Sequence, residues 1–337
     1  MTNLRLSYAS ACDYDRTRAL ADSRVSPVGI DLNFMVLSTV EELFWRTALY
    51  QDFDASEFSF GSYLVGKTST QDHFLPLIAI PVFPSRAFRH SAIFVNAHAG
   101  IERPEDLKGK TLGVPEYQLT AITWARGILQ HEYGVHPEDI RAWRTGGVEQ
   151  AGRIEKLVLD LPPGVNIEPI PKERTLNEML DAGEIDALIS PRMPSCFING
   201  SPNVHRLFEN YPAVEREYYE KTGIFPIMHA VVLRQDVYEA NRWIARNLYS
   251  AFEEAKDIAL NQAYESVVLR YSMPWMLHAI EEQRSLFGAD PWPYGLEPNV
   301  ETIAAFIQYS YEQGLIKRKI DVEELFAPET IGTGSKI

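Results

Sequence analysis

The chain has 337 residues, 45% hydrophobic and 23% charged, with a formal net charge of -14, enough apolar surface for two domains of ordinary size. An acidic chain without a long Lys/Arg run excludes a nucleic-acid groove, which needs a basic field against phosphate. No stretch reaches about 18 uninterrupted apolar residues, and the opening "MTNLRLSYASACDYDRTRA" has no apolar run of export-signal length, so we expect a soluble, cytoplasmic protein without a membrane partner.

In chain order, "LRLSYA" and "GIDLNFMVL" read as strands, and "TVEELFWRTALY" as a helix with Thr39 as N-cap, Glu42 completing a capping box, and Leu43, Ala48 and Leu49 on one apolar face. "FDASEFSFGSYLV" continues the α/β alternation. "FLPLIAIPVF" has the composition of a doubly buried strand, while Pro76 and Pro81 make it an edge or a crossover. "SAIFVNA" carries the chain into a second lobe. There "TLGVP" is a strand, a helix starts near Thr120 with Ala121, Ala125, Ile128 and Leu129 on one face and ends at Gly134, and "TLNEMLDAG" is a short helix closed by Gly183 before the strand "EIDALIS". "IFPIMHAVVL" is a return strand, followed by the helices "NRWIARNLYSAFEEAKDIAL" and "NVETIAAFIQYSYEQG" with the turn-rich "GADPWPYGLEPN" between them.

The pattern is α/β with parallel strands. We expect lobe 1 to comprise residues 1–88 plus 230–330, lobe 2 residues 89–229, and 331–337 to form a disordered tail. "FDASEFSFGSY" and "IDALISPRMPS" echo each other, Asp-Ala opening a short strand that runs into a polar loop. Two similar lobes would aim such loops at a common cleft. Two cysteines, Cys12 and Cys196, are too few for a disulfide framework or a Cys-rich metal site and read as small buried hydrophobes.

Nearly end to end, "DYDRTRAL", "AIPVFPSRAFRHSAIFVN", "DLKGKTLGVPEYQLTA", "ARGILQHEYGV", "LDLPPG", "GEIDALISPRMPS", "TGIFPIMHAVV" and "WPYGLEPN" resemble the 4,5-dihydroxyphthalate decarboxylase family. "PSRAFRHS", "GVPEYQ" and "GIFPIMH" are its more specific parts, whereas "DLKGKTLGVP" is widespread among solute-binding proteins. The resemblance implies a two-lobed fold of the type II periplasmic-binding-protein kind, with a ligand cleft between lobes and a helical C-terminal portion. It also implies loss of one carboxylate of a small aromatic dicarboxylate as CO2, leaving protocatechuate, without a redox cofactor. The alternative is a receptor for an aromatic carboxylate on the same fold, which the missing export signal disfavours. A homo-oligomer is compatible with either.

Such chemistry needs a clamp for the retained carboxylate, a group near the para hydroxyl and an acid near the ring carbon. Arg86 and Arg89, at the end of an apolar strand, and Arg192 in "SPRMPS" are the clamp candidates, because a guanidinium fork binds carboxylate bidentately; each reads equally as a solvated loop charge or ion pair. "PEYQLT" offers Glu116, Tyr117, Gln118 and backbone donors near Thr120, or else a plain helix cap. Tyr14, Arg16, Ser59 and Ser62 are candidate wall residues from "CDYDRT" and "FSFGSY". His229 is our expected proton donor, with His90 as its alternate or as partner to the para hydroxyl; the competing reading of His229 is a core histidine. A divalent metal held by His90, Glu116 and His229 has no close-spaced ligand motif behind it, and no metal is expected. Trp292 and Tyr294 in "DPWPYG" either cover the cleft or tie down a loop.

Overall fold

The computed structural model describes residues 3–69, 75–152 and 161–332. The chain divides into two units, the first formed by Met1–Arg86, Ile227–Ile303 and Ile320–Ile337, the second by Ala87–Pro226 and Ala304–Lys319. In chain order the first unit contributes β1 (Leu4–Ser10), α1 (Asp15–Ala21), β2 (Ile30–Val36), α2 (Val40–Trp45), β3 (Ala55–Ser59), α3 (Phe60–Thr68) and β4 (Leu77–Arg86). The second contributes β5 (Ile93–Asn96), β6 (Thr111–Val114), α4 (Thr120–Tyr133), β7 (Ala142–Thr145), β8 (Ile167–Pro169), α5 (Leu176–Asp181), β9 (Ala187–Ile189), α6 (Ser195–Ile198), β10 (Val204–Arg206) and α7 (Tyr211–Thr222). The chain returns to the first through β11 (Ile227–Arg234), α8 (Gln235–Ala240), α9 (Trp243–Ala263) and α10 (Met276–Phe287), and α11 (Val300–Glu312) carries it back into the second.

The first sheet has the order β2-β1-β3-β11-β4. β1 runs parallel to β2 and β3, whereas β11 is antiparallel to both β3 and β4. β4 lies at the edge, the place open to a strand carrying Pro81 and Pro84, which have no N–H to give a ladder. Its pairing with β11 slips on both sides of His229. The carbonyls in this stretch are taken up elsewhere in the same unit: Pro81 O by the Gly295 N–H (2.8 Å), Phe83 O by the Trp292 indole (2.9 Å) and Pro84 O by Arg16 Nε (2.6 Å). Two prolines therefore convert a strand edge into the seat of the 290s turn and of an arginine.

The second sheet has the order β10-β5-β9-β6-β7-β8, with β6, β7, β8 and β9 parallel and β5 antiparallel to its neighbours. Its core gathers Leu112, Val114, Ile122, Leu129, Trp143 and Ile189. α4 ends where expected, Gly134 taking φ 62°, a left-handed position that glycine fills without a Cβ clash. The Thr175–Glu178 capping box starts α5. The sequence echo has a structural basis. Asp54, before β3, accepts the backbone N–H of Ser7 in the parallel neighbour β1 (2.9 Å), and Asp186, before β9, accepts that of Thr111 at the start of β6 (2.7 Å).

Three expectations are corrected. Residues 304–319, which the sequence reading placed with the rest of 230–330 in the first lobe, belong to the second unit, because Phe306 and Tyr309 pack on Trp124 of α4 and Gln313 bonds Arg126. Thr39 caps α2 through the Glu42 N–H, but the Glu42 carboxylate reaches forward to Arg46 rather than back to the cap. Leu43 is buried as expected and Leu49 is exposed, since the chain winds as a π-helix over Arg46–Tyr50 and the added residue per turn brings Thr47 inward instead. Residues 333–337 of the expected tail lie outside the described residues. Among the described residues, no helix is long and apolar enough to cross a membrane.

Candidate active site

In the first unit, strand register brings Glu57 and His229 together. Across the antiparallel β3–β11 pair, Ser59 faces His229 and Glu57 faces Val231. Residues two apart share a sheet face, so Glu57 and His229 are diagonal neighbours on one side. His229 Nδ1 lies 2.5 Å from Glu57 Oε1. The same oxygen accepts the Tyr14 hydroxyl (2.8 Å), and Oε2 accepts the Ala11 backbone N–H (2.8 Å), with the Ser10 hydroxyl at 3.4 Å. Ser10 ends β1 and Ser59 ends β3, so the cluster sits at the carboxyl ends of parallel strands, where open α/β sheets bind ligands.

Glu57 is completely buried. Burial pushes its carboxyl up, but the hydrogen bond and charge of His229, with the donors Ala11 and Tyr14, outweigh that and leave it below the ordinary carboxylate value. Burial, and after it the charge of Glu57, holds the Tyr14 phenol far above its ordinary value, so it stays protonated and donates. The Phe44 ring stands edge-on to the imidazole, centroids 4.9 Å apart. His229 Nε2 has no hydrogen-bond partner among the described residues, and the side chain keeps 15% of its surface open.

Arg16 adjoins this cluster through Tyr14. Its guanidinium lies over the Tyr14 ring, 4.1 Å from the centroid, and over the Trp292 ring, 4.3 Å from the centroid, two cation–π contacts that hold the fork in place. Nε donates to Pro84 O and Nη1 to Asp15 (3.2 Å), while Nη2 has no partner among the described residues. Ser59 Oγ accepts the Ser62 N–H and caps α3, so Ser59 is a helix cap and Ser62 an exposed first-turn residue beside the same strand end. Trp292 both ties the loop to β4 and stacks on Arg16, whereas Tyr294 is buried.

The remaining candidates fall elsewhere. Arg86 is buried in the first unit, its Nη2 donating to Pro293 O (2.8 Å) and to the Asn299 side-chain oxygen, which gives it an anchoring position under the 290s turn. Arg89 belongs to the second unit, where burial pulls its guanidinium down to about 10 against the opposing charge of Glu215. Arg192 is exposed, and its backbone closes a turn with Ser190. Glu116 is buried with the Gln118 amide 3.4 Å away. Leu119, not Thr120, occupies the N-cap of α4 and makes no side-chain cap bond; Thr120 is the first helical residue, and buried.

Two candidates are corrected. Tyr117 is completely buried in the second core, its ring under the Arg126 guanidinium (3.5 Å) and against Trp143, so it does not wall an open site. His90 is buried among Tyr133, Phe208 and Tyr218, with no hydrogen-bond partner for either ring nitrogen among the described residues. Burial pulls it down to about 4, leaving it a neutral imidazole at neutral pH and no acid. Among the described residues, no group of three or more His, Cys, Asp or Glu is placed to hold a metal ion.

Sequence reasoning passed over Glu57 and Ser10. The available signal was a glutamate inside "FDASEFSF", an ionisable residue in a strand whose five residues are all buried. A buried carboxylate requires donors around it.

No protein-family model matches the chain. It is 43% identical over 331 residues to 4,5-dihydroxyphthalate decarboxylase of Comamonas testosteroni, covering 98% of each chain. It is 46% identical over 219 residues to the enzyme of that name from Pseudomonas putida, covering 65% of this chain and 83% of the relative. Among solved structures it resembles the periplasmic aliphatic sulphonate binding protein SsuA of Escherichia coli (TM-score 0.54, 13% identity, 98% of this chain and 99% of that one) and the desulfurization enzyme DSZB (TM-score 0.50, 12% identity, 97% of each). These similarities show the fold, an α/β architecture of the periplasmic-binding-protein kind, and they span a binder and an enzyme, so fold alone does not choose between the two. The identity to the decarboxylases, which spans 98% of the chain for the Comamonas testosteroni enzyme, does, and the chain belongs to the 4,5-dihydroxyphthalate decarboxylase family.

Proposed function

We propose that the protein is a carboxy-lyase that decarboxylates 4,5-dihydroxyphthalate, or a close dihydroxylated aromatic diacid, to protocatechuate and CO2. The observation that carries the reading is the His229–Glu57 pair at the strand ends of the first unit, in a chain 43% identical to such a decarboxylase. Each carboxylate of the substrate is para to a hydroxyl. Ionising that hydroxyl raises electron density at the carboxyl-bearing carbon, and this carbon takes a proton from His229. The carbon–carboxylate bond then breaks, its electron pair restores the aromatic ring, and CO2 departs. The role of His229 is to hold an acidic proton against carbon beside water-excluding Phe44. Arg16, held in place by Tyr14 and Trp292, binds the carboxylate that stays, through Nη2 and in competition with Asp15 for Nη1. The steps as written use no redox cofactor. Cys12 is exposed, against the expectation of a buried hydrophobe, and Cys196 is buried as expected; both are free thiols, which suits a cytoplasmic setting.

The test is to mix the purified protein with 4,5-dihydroxyphthalate in D2O and follow the ultraviolet spectrum, CO2 and the product. Protocatechuate carrying one deuterium at the vacated carbon is expected. Tight binding with an unchanged spectrum would instead make the protein a receptor for aromatic carboxylates.

A further inference from the structure

The structure assigns Glu57 as a positioning residue that fixes His229 in the Nδ1-protonated form and leaves Nε2 as the nitrogen that carries the reacting proton. The inference rests on the decarboxylase reading for its chemistry, but the geometry behind it belongs to the first unit alone.

An ionised carboxylate only accepts hydrogen bonds. Each neighbour of Glu57 that meets it is a donor: the Tyr14 hydroxyl on Oε1, the Ala11 N–H on Oε2, and the Ser10 hydroxyl at longer range, its one hydrogen shared with Cys12 O at 2.9 Å. The backbone N–H of Ala11 cannot reverse its role, so Oε2 is an acceptor in every state. With Glu57 ionised, as its lowered carboxyl and its ring of donors have it, Oε1 accepts as well, and His229 Nδ1 facing it carries the hydrogen at 2.5 Å. A neutral imidazole has one N–H. Once Nδ1 holds it, Nε2 is the bare nitrogen in the neutral form and the nitrogen whose proton leaves in the charged form. No described residue bonds Nε2.

The proton balance follows. Imidazolium gives the Nε2 proton to the ring carbon, the bond to the departing carboxylate supplies the electron pair that the ring recovers, and His229 is left as the Nδ1–H imidazole, still bonded to Glu57. The next proton returns to Nε2 from solvent or from the substrate hydroxyl. The groups facing the pair are Tyr14 from the start of α1, Ser10 from β1, Phe44 from α2, and Ser59 and Ser85 as strand partners of His229. Arg16, over the Tyr14 ring, is a charged neighbour. None of these offers Nδ1 another acceptor as strong as the carboxylate.

Glu57→Gln tests the assignment. Its amide oxygen must stay with the Ala11 N–H, so the amide NH2 turns to Nδ1, which then has to accept and sends the single hydrogen to Nε2. We expect kcat to fall roughly 10²- to 10⁴-fold with KM little changed. The direct measurement is the nitrogen-15 spectrum of histidine-labelled wild-type protein, which needs no variant to fold. The neutral His229 should show a protonated Nδ1 and a bare Nε2. A bare Nδ1 in the wild type overturns the assignment, as does a Glu57→Gln enzyme with wild-type kcat. Absence of any decarboxylation by the wild type would remove the functional reading instead, and the nitrogen spectrum would still decide the tautomer.

Discussion

His229 meets Glu57 across 172 positions of sequence because β11 lies antiparallel beside β3 and sets the two residues diagonally on one face. A histidine held through one nitrogen presents the other in a fixed direction. His229→Asn keeps much of the size and a hydrogen bond to Glu57 but delivers no proton. Substrate should still bind, by calorimetry, while single-turnover decarboxylation falls roughly 10²- to 10⁴-fold. Normal turnover would return His229 to the role of a structural partner for a buried carboxylate.

Arg16 and Arg86 should separate by phenotype. Arg16→Lys loses the planar fork and the two aromatic contacts, and KM for the diacid is expected to rise at least about tenfold, the equivalent of ~1.4 kcal/mol, at nearly unchanged melting temperature. Arg86→Lys leaves Pro293 O and Asn299 with a poorer donor in a buried place. Thermal unfolding should show a loss of about 1–3 kcal/mol. If Arg86→Lys instead raises KM without destabilising the protein, Arg86 is the carboxylate clamp after all.

His90 should cost stability in acid. Unfolded, it takes up a proton below about pH 6.5, whereas folded it resists protonation down to about 4. The unfolded state therefore binds more protons in that window, so stability declines as pH falls from about 6.5 to about 4 and levels off below, a loss on the order of 3 kcal/mol. His90→Phe places a ring of similar shape among Tyr133, Phe208 and Tyr218. It should flatten this part of the denaturation-versus-pH curve and leave decarboxylation intact. An unchanged curve would mean that His90 finds a proton acceptor in the fold.

Gly127 tests the placement of α11 in the second unit. A Cβ there would stand 2.0 Å from Cδ2 of Tyr309. Helix propensity favours alanine by about 1 kcal/mol, yet overpacking of this kind costs about 1–3 kcal/mol or more. Gly127→Ala should lower the melting temperature, and the double variant with Tyr309→Leu should recover part of the loss. Equal stability of Gly127→Ala and wild type would argue against this helix packing.

Much of the architecture was legible in the sequence because it is written in local chemistry. The apolar runs at β1, β4, β6 and β11 and the Gly134 and Gly183 stops each act within a few residues. The prolines of this run left an edge or a crossover open, and the structure places β4 at the sheet edge. The π-helical turn at Arg46–Tyr50 was not legible, since it shifts the helical phase without a residue that announces it. Nor was the allegiance of residues 304–319, which depends on Trp124 and Arg126 far back in the chain.

The site divides along the same line. Sequence by itself determined that His229 sits in an apolar strand, that Tyr14 and Arg16 follow the first strand, and that a guanidinium suits a carboxylate. Tertiary structure decided which histidine has a partner: both His90 and His229 lie in apolar surroundings, but strand register gives His229 a buried carboxylate and leaves His90 among aromatic rings. It likewise set the two arginines apart, seating Arg16 against Tyr14 and Trp292 and anchoring Arg86 to Asn299. The physical reason is that the protonation and availability of an ionisable group depend on burial and on the few atoms within hydrogen-bond reach, and many of those atoms arrive from strands and turns distant in sequence, as Glu57 does to His229 across 172 positions.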